Sequence, residues 1–524
     1  MLINTFPAAN MKSVIKFFSK NAVIKGTIIL TLAGFLSRFA GFFYRVIATQ
    51  CIGSIGIGLI QLVMPVIGIS AALCSNGIQT AISKFAAAMN KKLSWLLSGL
   101  IISIPVSIIF SVFVWLKADF IARNIFLTPE CSSLIKILCI SVPFSSMHNC
   151  INGYYYGLKQ SGIPAASQLL EQAVRIIFIV FYYYSFINAG NQVSIECALY
   201  GNIAGELSAC ILCLTALFLK KHKASLHNKT TFLKSLKCVV TNSRQIFTYS
   251  FPLTLNHLLM HILESGETIL IPAVLIISGL EQKEALSLYG ILTGMTLPLI
   301  MFPSAITNSM AVMLLPKISK SQSDNNISNI KHTINSSINL CMHMGIACSF
   351  LFFEYGGKLG SYLFNEPMVE EFVKTLSFIC PFIFLRTTLS SILNGLGKTS
   401  LTFISAIAGT SVRLFSLIII VPVTGIRGYL ISLLISQLVT CMILYIWLIK
   451  KYKIPPHPVD NIIMPVSYSI ISVFSTKIFL QLILRNLISS EAVVITSGGI
   501  LAVIIYITLS YSCIIGFTSN TEGA

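Results

Sequence analysis

A chain of 524 residues that is 55 % hydrophobic and only 10 % charged, with mean hydropathy +0.83, does not read as a soluble globular protein, which carries about 25 % charged residues. The formal net charge of +19 invites a nucleic-acid reading, but no basic, aromatic-interleaved soluble domain is present to serve one, so no nucleic-acid partner is expected. Composition points to a polytopic membrane protein, and the 14 cysteines form no disulfide framework.

Hydrophobic stretches of spanning length run at 26–48, 56–83, 94–116, 131–157, 163–187 and 194–219. After a basic connection come 246–278, 286–315, 332–354, 370–396, 400–424 and 427–449, and then 461–484 and 491–516. Roughly 20 apolar residues cross about 30 Å of hydrocarbon, so the pattern predicts an all-α integral membrane protein of about 14 transmembrane helices. Lysines precede the first stretch, but its apolar run is too long for a signal peptide and lacks a convincing cleavage site. It is expected to stay as an uncleaved first helix, with Met11 as an alternative start. The expected organisation is an N-terminal six-helix bundle over 1–219, a cytoplasmic basic connection over 220–245 and a C-terminal six-helix bundle over 246–449. Helices 13 and 14 with a tail fill 450–524.

In the first stretch, Arg38 lies near mid-membrane, where an arginine costs at least ~2.5–3.5 kcal/mol on insertion scales and so faces a partner or a watery cavity. Arg45 follows two helical turns later, with Gly34 and Gly41 interleaved on the same face, which makes one stripe narrow and positively charged. Something negative is expected to meet it, although Arg45, near the end of its helix, also has the option of snorkelling to the interface. In the fifth stretch Glu171 and Arg175 stand at i, i+4, spaced to pair, with Gln168 and Gln172 alongside. That pair serves either ion coupling or simple helix–helix bonding. Cys210 and Cys213 in the sixth stretch make a CxxC inside an apolar run, where small apolar filler is the expected role.

The seventh stretch holds Asn256, His257, His261, Glu264 and Glu267, with Pro252, Gly266 and Pro272 expected to break the helix. His257, His261 and Glu264 share a face. Proton or cation coupling and a network neutralising Arg38 or Arg45 both fit these residues, whereas a metal site lacks a third histidine or a neighbouring base. Interrupted helices at a repeat interface are where transporter sites form.

An internal repeat organises these residues. Pro143-Phe144, Gly157-Leu158, Ser167 and Val174-Arg175 reappear 238 residues later as Pro381-Phe382, Gly395-Leu396, Ser405 and Val412-Arg413. Pro65 and Lys84 reappear at an offset of 233 as Pro298 and Lys317. The unit is six helices, an even number, so both copies enter the membrane in one direction, as parallel repeats around a central cavity. His148 is matched by Arg386. Arg175 is matched by Arg413, which has Gly409 where the first copy has Glu171 and so needs another partner or water.

Connections between stretches alternate in charge. Lys12, Lys16, Lys20, Lys25, Lys84, Lys91, Lys92 and Lys159 lie on one side, joined by the 220–244 lysines, Lys317, Lys320, Lys331, Lys398, Lys450, Lys451 and Lys453. Asp119, Glu130, Glu196, Glu281, Glu284, Glu366, Glu370, Glu371 and Glu491 lie on the other. The positive-inside rule then puts both termini in the cytoplasm and makes most of the positive charge topogenic. No nucleophile–base set, phosphate loop or Walker A motif occurs. A transporter in the cell membrane, not an enzyme, with no cofactor and no metal, is the expectation.

Several motifs resemble the polysaccharide biosynthesis exporters of the multidrug/oligosaccharidyl-lipid/polysaccharide superfamily, in a branch found in spore formers. They are Lys25-Gly26-Thr27, Gly53-x-x-Gly56-Ile57-Gly58-Leu59-x-Gln61 leading to Pro65, and Gly77-Ile78 followed by Ala81-Ile82-Ser83-Lys84. Glu171-Gln172-x-x-Arg175, Leu315-Pro316-x-Ile318-Ser319 and Leu393-Asn394-Gly395-Leu396-Gly397-Lys398 complete the set, which covers most of the chain. Gln79 and Ile60 depart from the family's usual proline and tyrosine. Ser37-Arg38 with Gly41-Phe42 also resembles the first helix of the superfamily's lipid II flippases, which implies a cationic-cavity role for Arg38. Phe43 stands where a second basic residue of that family falls, so Arg45 rests on the helix argument alone.

The resemblance implies translocation of an undecaprenyl-linked, pyrophosphate-bearing glycan or peptidoglycan precursor and a part in spore cortex synthesis, with membrane lipid and cell-wall synthesis enzymes as partners. Arg38, Arg386 and Arg413, and Arg45 with them, would then bind the anionic group of this lipid-linked precursor through charge-assisted hydrogen bonds. Rocking of the bundles would alternate access, and helices 13 and 14 would form a groove for the lipid tail. A drug/cation antiporter of the same superfamily, kept open by Glu264 and Glu267, and a non-transporting membrane scaffold are the alternatives.

Overall fold

The computed structural model describes residues 22–88, 93–188, 194–224, 232–480 and 491–519; side-chain surroundings are described from residue 31 on, apart from 186–188, 220–224, 232–238, 491 and 511–519. Met11, Lys12, Lys16, Lys20, Lys91, Lys92, Lys229 and the end of the thirteenth predicted stretch lie outside the described residues. All regular structure among the described residues is helical. Among the described residues, thirteen stretches are long and apolar enough to cross a membrane, and the first, Thr31–Ala88, is 58 residues long. At 1.5 Å per residue it measures about 87 Å against ~30 Å of hydrocarbon, enough for two crossings. Gly53, at φ 70° and ψ 179°, divides it, in a backbone region open essentially to glycine alone. The architecture is therefore the 14 helices that hydropathy predicts.

We label them α1 (residues 22–52), α2 (54–88), α3 (Leu93–Leu116), α4 (Cys131–Gly157), α5 (Gly162–Asn188), α6 (Glu196–Ala224) and α7 (Phe232–Ile277). The second half contains α8 (282–323), α9 (327–364), α10 (368–395), α11 (Thr399–Ile419), α12 (Ile426–Tyr452), α13 (459–479) and α14 (Glu491–Ser519).

Two expectations change. The seventh helix runs unbroken from Phe232 to Ile277 despite Pro252, Gly266 and Pro272. Neighbouring helices and local adjustments re-satisfy the backbone groups a proline frees, which is why membrane helices tolerate it. The interruption falls instead in α8. There a π-turn at Ile291–Thr296 is followed by a break at Phe302-Pro303, where the Phe302 N–H donates to the Leu299 carbonyl and the helix restarts at Ser304. Pro303 supplies no donor and its ring opposes the carbonyl four residues back, so the α-helical ladder stops. Most of the basic connection is also helical, because α6 continues to Ala224 and α7 begins at Phe232.

The burial pattern of α3 is that of a lipid-facing helix. Ser98, Ser103, Ser107 and Ser111 are buried, whereas Ile101, Ile109, Phe113 and Leu116 are exposed. Small polar residues let helices approach and bond across: the Ser103 hydroxyl donates to the Cys74 carbonyl at 2.6 Å and the Ser98 hydroxyl to the Val239 carbonyl at 2.9 Å. Past the end of α3, Asp119 accepts from the Ser132 hydroxyl and pairs with Lys136 Nζ at 3.0 Å. The hydroxyl first, then the ammonium, hold this carboxyl below the usual carboxylate range.

Contacts group the chain into two compact units, the first comprising residues up to Tyr44 with Val63–Ile262 and the second Arg45–Leu62 with Leu263 onward. Within each, the same helix pairs pack. Unit 1 pairs α2 with α4, α3 with α4, α4 with α6, and α5 with α6. Unit 2 pairs α8 with α10, α9 with α10, α10 with α12, and α11 with α12. Even the close contacts correspond. A Cβ on Gly157 would lie 2.5 Å from the Ser83 carbonyl oxygen, and one on Gly395 would lie 2.9 Å from that of Leu315. The repeat read from the sequence is thus present in the packing within each unit.

Candidate functional site

In unit 1 the repeat-matched polar residues converge on one buried network. Arg175 Nη2 on α5 lies 2.5 Å from Glu171 Oε1 one turn back and 3.2 Å from Glu206 Oε1 on α6. His148 Nε2 on α4 lies 3.0 Å from the other Glu206 oxygen. Gly205 permits this, since a Cβ there would sit 2.8 Å from Arg175 Cγ and 3.0 Å from the Glu171 carbonyl. His148, Glu171 and Glu206 offer three ligand atoms within 4.8 Å of one another, but the Arg175 guanidinium already supplies a cation among them. Two carboxylates share one guanidinium, and His148 completes the network.

Unit 2 builds the corresponding place with different chemistry. Arg386 on α10, at the position matched to His148, donates from Nη1 to Gln437 Oε1 on α12 at 2.9 Å. Gln437 holds Arg386 as Glu206 holds His148. With Gly409 replacing the acid of the first copy, α11 closes on α12, the Ser436 carbonyl oxygen standing 3.2 Å from where a Cβ of Gly409 would be. Arg413 finds its partner elsewhere: its Nε is 2.6 Å from Glu267 Oε1 on α7, and the Tyr429 hydroxyl donates to the same oxygen at 2.6 Å. Glu267 and Tyr429 are buried, so the ion pair is sealed from solvent and lipid.

Of the other predicted residues, Glu264 stands close enough to Arg386 and Arg413 to act on them electrostatically. Arg38 is exposed on α1 and has no hydrogen-bond or ion-pair partner among the described residues. It belongs to unit 1, where its neighbour Gly41 packs near the Gln172 side chain of α5 and Tyr44 donates to the Ala198 carbonyl at 3.1 Å. Arg45, also exposed, belongs to unit 2. His257 is exposed and His261 half-buried in unit 1, the His261 ring seated against Gly68, where a Cβ would stand 3.1 Å from its Nδ1. Glu264 is exposed and belongs to unit 2. Cys210 and Cys213 are buried free thiols facing Met147 and Asn152 of α4.

Three residues of the networks escaped the sequence reading: Glu206, Gln437 and Tyr429. Glu206 was findable. It is an acid in the middle of a spanning stretch, and the cost argument that marks Arg38 applies to it equally. Gln437 and Tyr429 carry no charge and give no such signal.

Twelve of the fourteen helices described form two six-helix repeats, each with a basic side chain at the matched place, and the chain is a polytopic membrane protein of the multidrug/oligosaccharidyl-lipid/polysaccharide superfamily. The chain belongs to the polysaccharide biosynthesis protein family, which matches residues 23–322, and the MatE family matches residues 245–419. It is 26 % identical over 435 residues to stage V sporulation protein B of Bacillus subtilis (strain 168), covering 81 % of this chain and 83 % of that one. It is 21 % identical over 424 residues to lipid II flippase MurJ of the same organism, covering 75 % of this chain and 76 % of that one. Among solved structures, lipid II flippase MurJ in an inward closed conformation matches with a TM-score of 0.68 and 13 % identity, over 93 % of this chain and 100 % of the other. At that identity the structural likeness shows the fold.

Proposed function

We propose that this protein carries a lipid-linked anionic glycan or peptidoglycan precursor across the membrane, as a flippase with a part in spore cortex synthesis. The observation that carries the reading is Arg38: a guanidinium inside a spanning helix, exposed and without a partner among the described residues. Five N–H donors are maintained there at a cost of at least ~2.5–3.5 kcal/mol, which a phosphate or pyrophosphate would offset through bidentate hydrogen bonds. Arg386, hydrogen-bonded to Gln437 and within electrostatic reach of Glu264, is the second contact we assign to the anionic substrate. The relatives named stage V sporulation protein B and lipid II flippase support this substrate class. Arg45 is assigned to the same charge stripe, and Arg413 a supporting role through its pair with Glu267. Lysine-rich connections on one side put both termini in the cytoplasm in this reading.

The test is translocation of fluorescent lipid II in proteoliposomes. The native chain is expected to accelerate flipping over empty vesicles and Arg38→Ala to reduce it by about 10-fold or more, with unchanged melting temperature, from loss of a charge-assisted pair worth ~1.5–3 kcal/mol. No stimulation by the native chain sinks the proposal. Full cortex synthesis with Arg38→Ala at normal protein level would favour a scaffold. A cation antiporter is the second reading, kept open by Glu264 and Glu267, and the unit 1 acids it would need are Glu171 and Glu206. Both are already held by Arg175, which favours the flippase.

A further inference from the structure

Unit 2 contains an apolar slot of about 680 Å³ between α9, α10, α12 and the start of α13. Its walls include Met342, Ile346, Phe382, Leu385, Leu438 and Met442, and α14 does not contribute. We propose that the slot binds one acyl chain of an anionic glycerophospholipid, with the phosphate held at the rim by His457, Asn461 and the lysines at the end of α12. The site is separate from the charge networks and independent of the flippase reading.

Three observations select this occupant. On α9 the lining runs from Ile338 to Phe350, twelve helical steps, so the slot is about 18 Å deep. That is little more than half of ~30 Å of hydrocarbon, the depth of one leaflet, and suits a chain that enters from one side and stops. The walls are apolar, while the lining contributed by the connection from α12 and the first turn of α13 includes His457 and Asn461 beside Pro456 and Pro458. Asn461 accepts from Asn339 Nδ2 at 3.2 Å through Oδ1, which leaves its own amide N–H donors available to a phosphate oxygen. Finally, Lys450, Lys451 and Lys453 are exposed on the last turn and cap of α12, on the segment leading straight into this rim. Basic clusters beside a membrane helix attract anionic headgroups, so the rim selects phosphatidylglycerol over phosphatidylcholine. The one acid at the mouth, Asp460, lies 4.0 Å from His457 Nδ1.

The experiment extracts the full-length protein from vesicles of equimolar phosphatidylglycerol and phosphatidylcholine and reads retained lipid by native mass spectrometry, with melting temperature measured in each lipid alone. One phosphatidylglycerol per chain is expected, favoured over phosphatidylcholine by at least about fivefold, with a higher melting temperature in that lipid. Met442→Trp, which fills the slot, is expected to lose the retained lipid. The surface variant K450Q/K451Q/K453Q is expected to keep the fold and lose the preference, which decides the matter should Met442→Trp fail to fold. Equal retention of both lipids by the native chain overturns the proposal. So does a preference unchanged in the lysine variant, and so does displacement of phosphatidylglycerol by equimolar undecaprenyl phosphate, which would make the slot a substrate-tail site.

Discussion

Arg38 and Arg175 are both arginines in membrane helices, and the structure gives them opposite surroundings. Arg175 bridges two carboxylates in a buried network across α4, α5 and α6, whereas Arg38 is exposed and unpaired among the described residues. Removing one member of a buried ion pair leaves charge without compensation. Arg175→Leu is therefore expected to destabilise unit 1 by ~3–5 kcal/mol, read as a lowered melting temperature and poor membrane yield. Adding Glu171→Gln and Glu206→Gln to it should recover most of that loss, because the stranded charges are gone. If the single variant melts like the native chain, the network is not a structural element. Arg38→Ala should behave the other way, with full stability and lost transport.

At the scale of elements, glycines set how closely helices approach. The start of α2 crosses α8 with Gly58 against Gly290: a Cβ on Gly290 would lie 2.7 Å from the Gly58 nitrogen, and one on Gly58 would run into the Leu286 carbonyl. The Ser54 and Ser287 hydroxyls bond at 2.8 Å beside this crossing, and their separation of 233 is the repeat offset of Pro65 and Pro298. Residues matched by the repeat thus touch each other. Since the blocking atoms are backbone, no side chain can move aside. Gly58→Ala is expected to cost ~1–3 kcal/mol, whereas Gly34→Ala, with nothing within 4 Å, should be neutral. Thermal melts of the two purified variants make the comparison, and equal melting temperatures would refute the crossing. The uninterrupted α7 and broken α8 belong to this scale too: a proline shows in the sequence, but whether its neighbours re-satisfy the freed carbonyl does not.

For the whole molecule, the repeat and the charge alternation of the connections lead to a topology that chemistry can check. Cysteine substitutions at the exposed Glu281 and at Lys398 are expected to label from opposite sides of the membrane, Glu281→Cys from outside intact cells and Lys398→Cys only after permeabilisation. Labelling of both from one side rejects the arrangement. Much of this scale was legible in the residues alone. Helix number follows from the length and hydropathy of each stretch, and the repeat follows from matched prolines, glycines and arginines, all of which are written along a single strand of sequence. Even the need of Arg413 for a partner was legible, from Gly409 standing where Glu171 would be. The partner itself was not. Glu267 is 146 residues away, on a helix read as a separate polar anomaly, and Glu206 and Gln437 mattered only once α6 and α12 were packed. What the sequence by itself determined is the membrane class, the number of helices, the doubling and the positions of the costly charges. Only the tertiary structure decided which of these charges are paired among the described residues, because pairing energy depends on distances of a few ångströms between helices, and no periodicity along the chain encodes them.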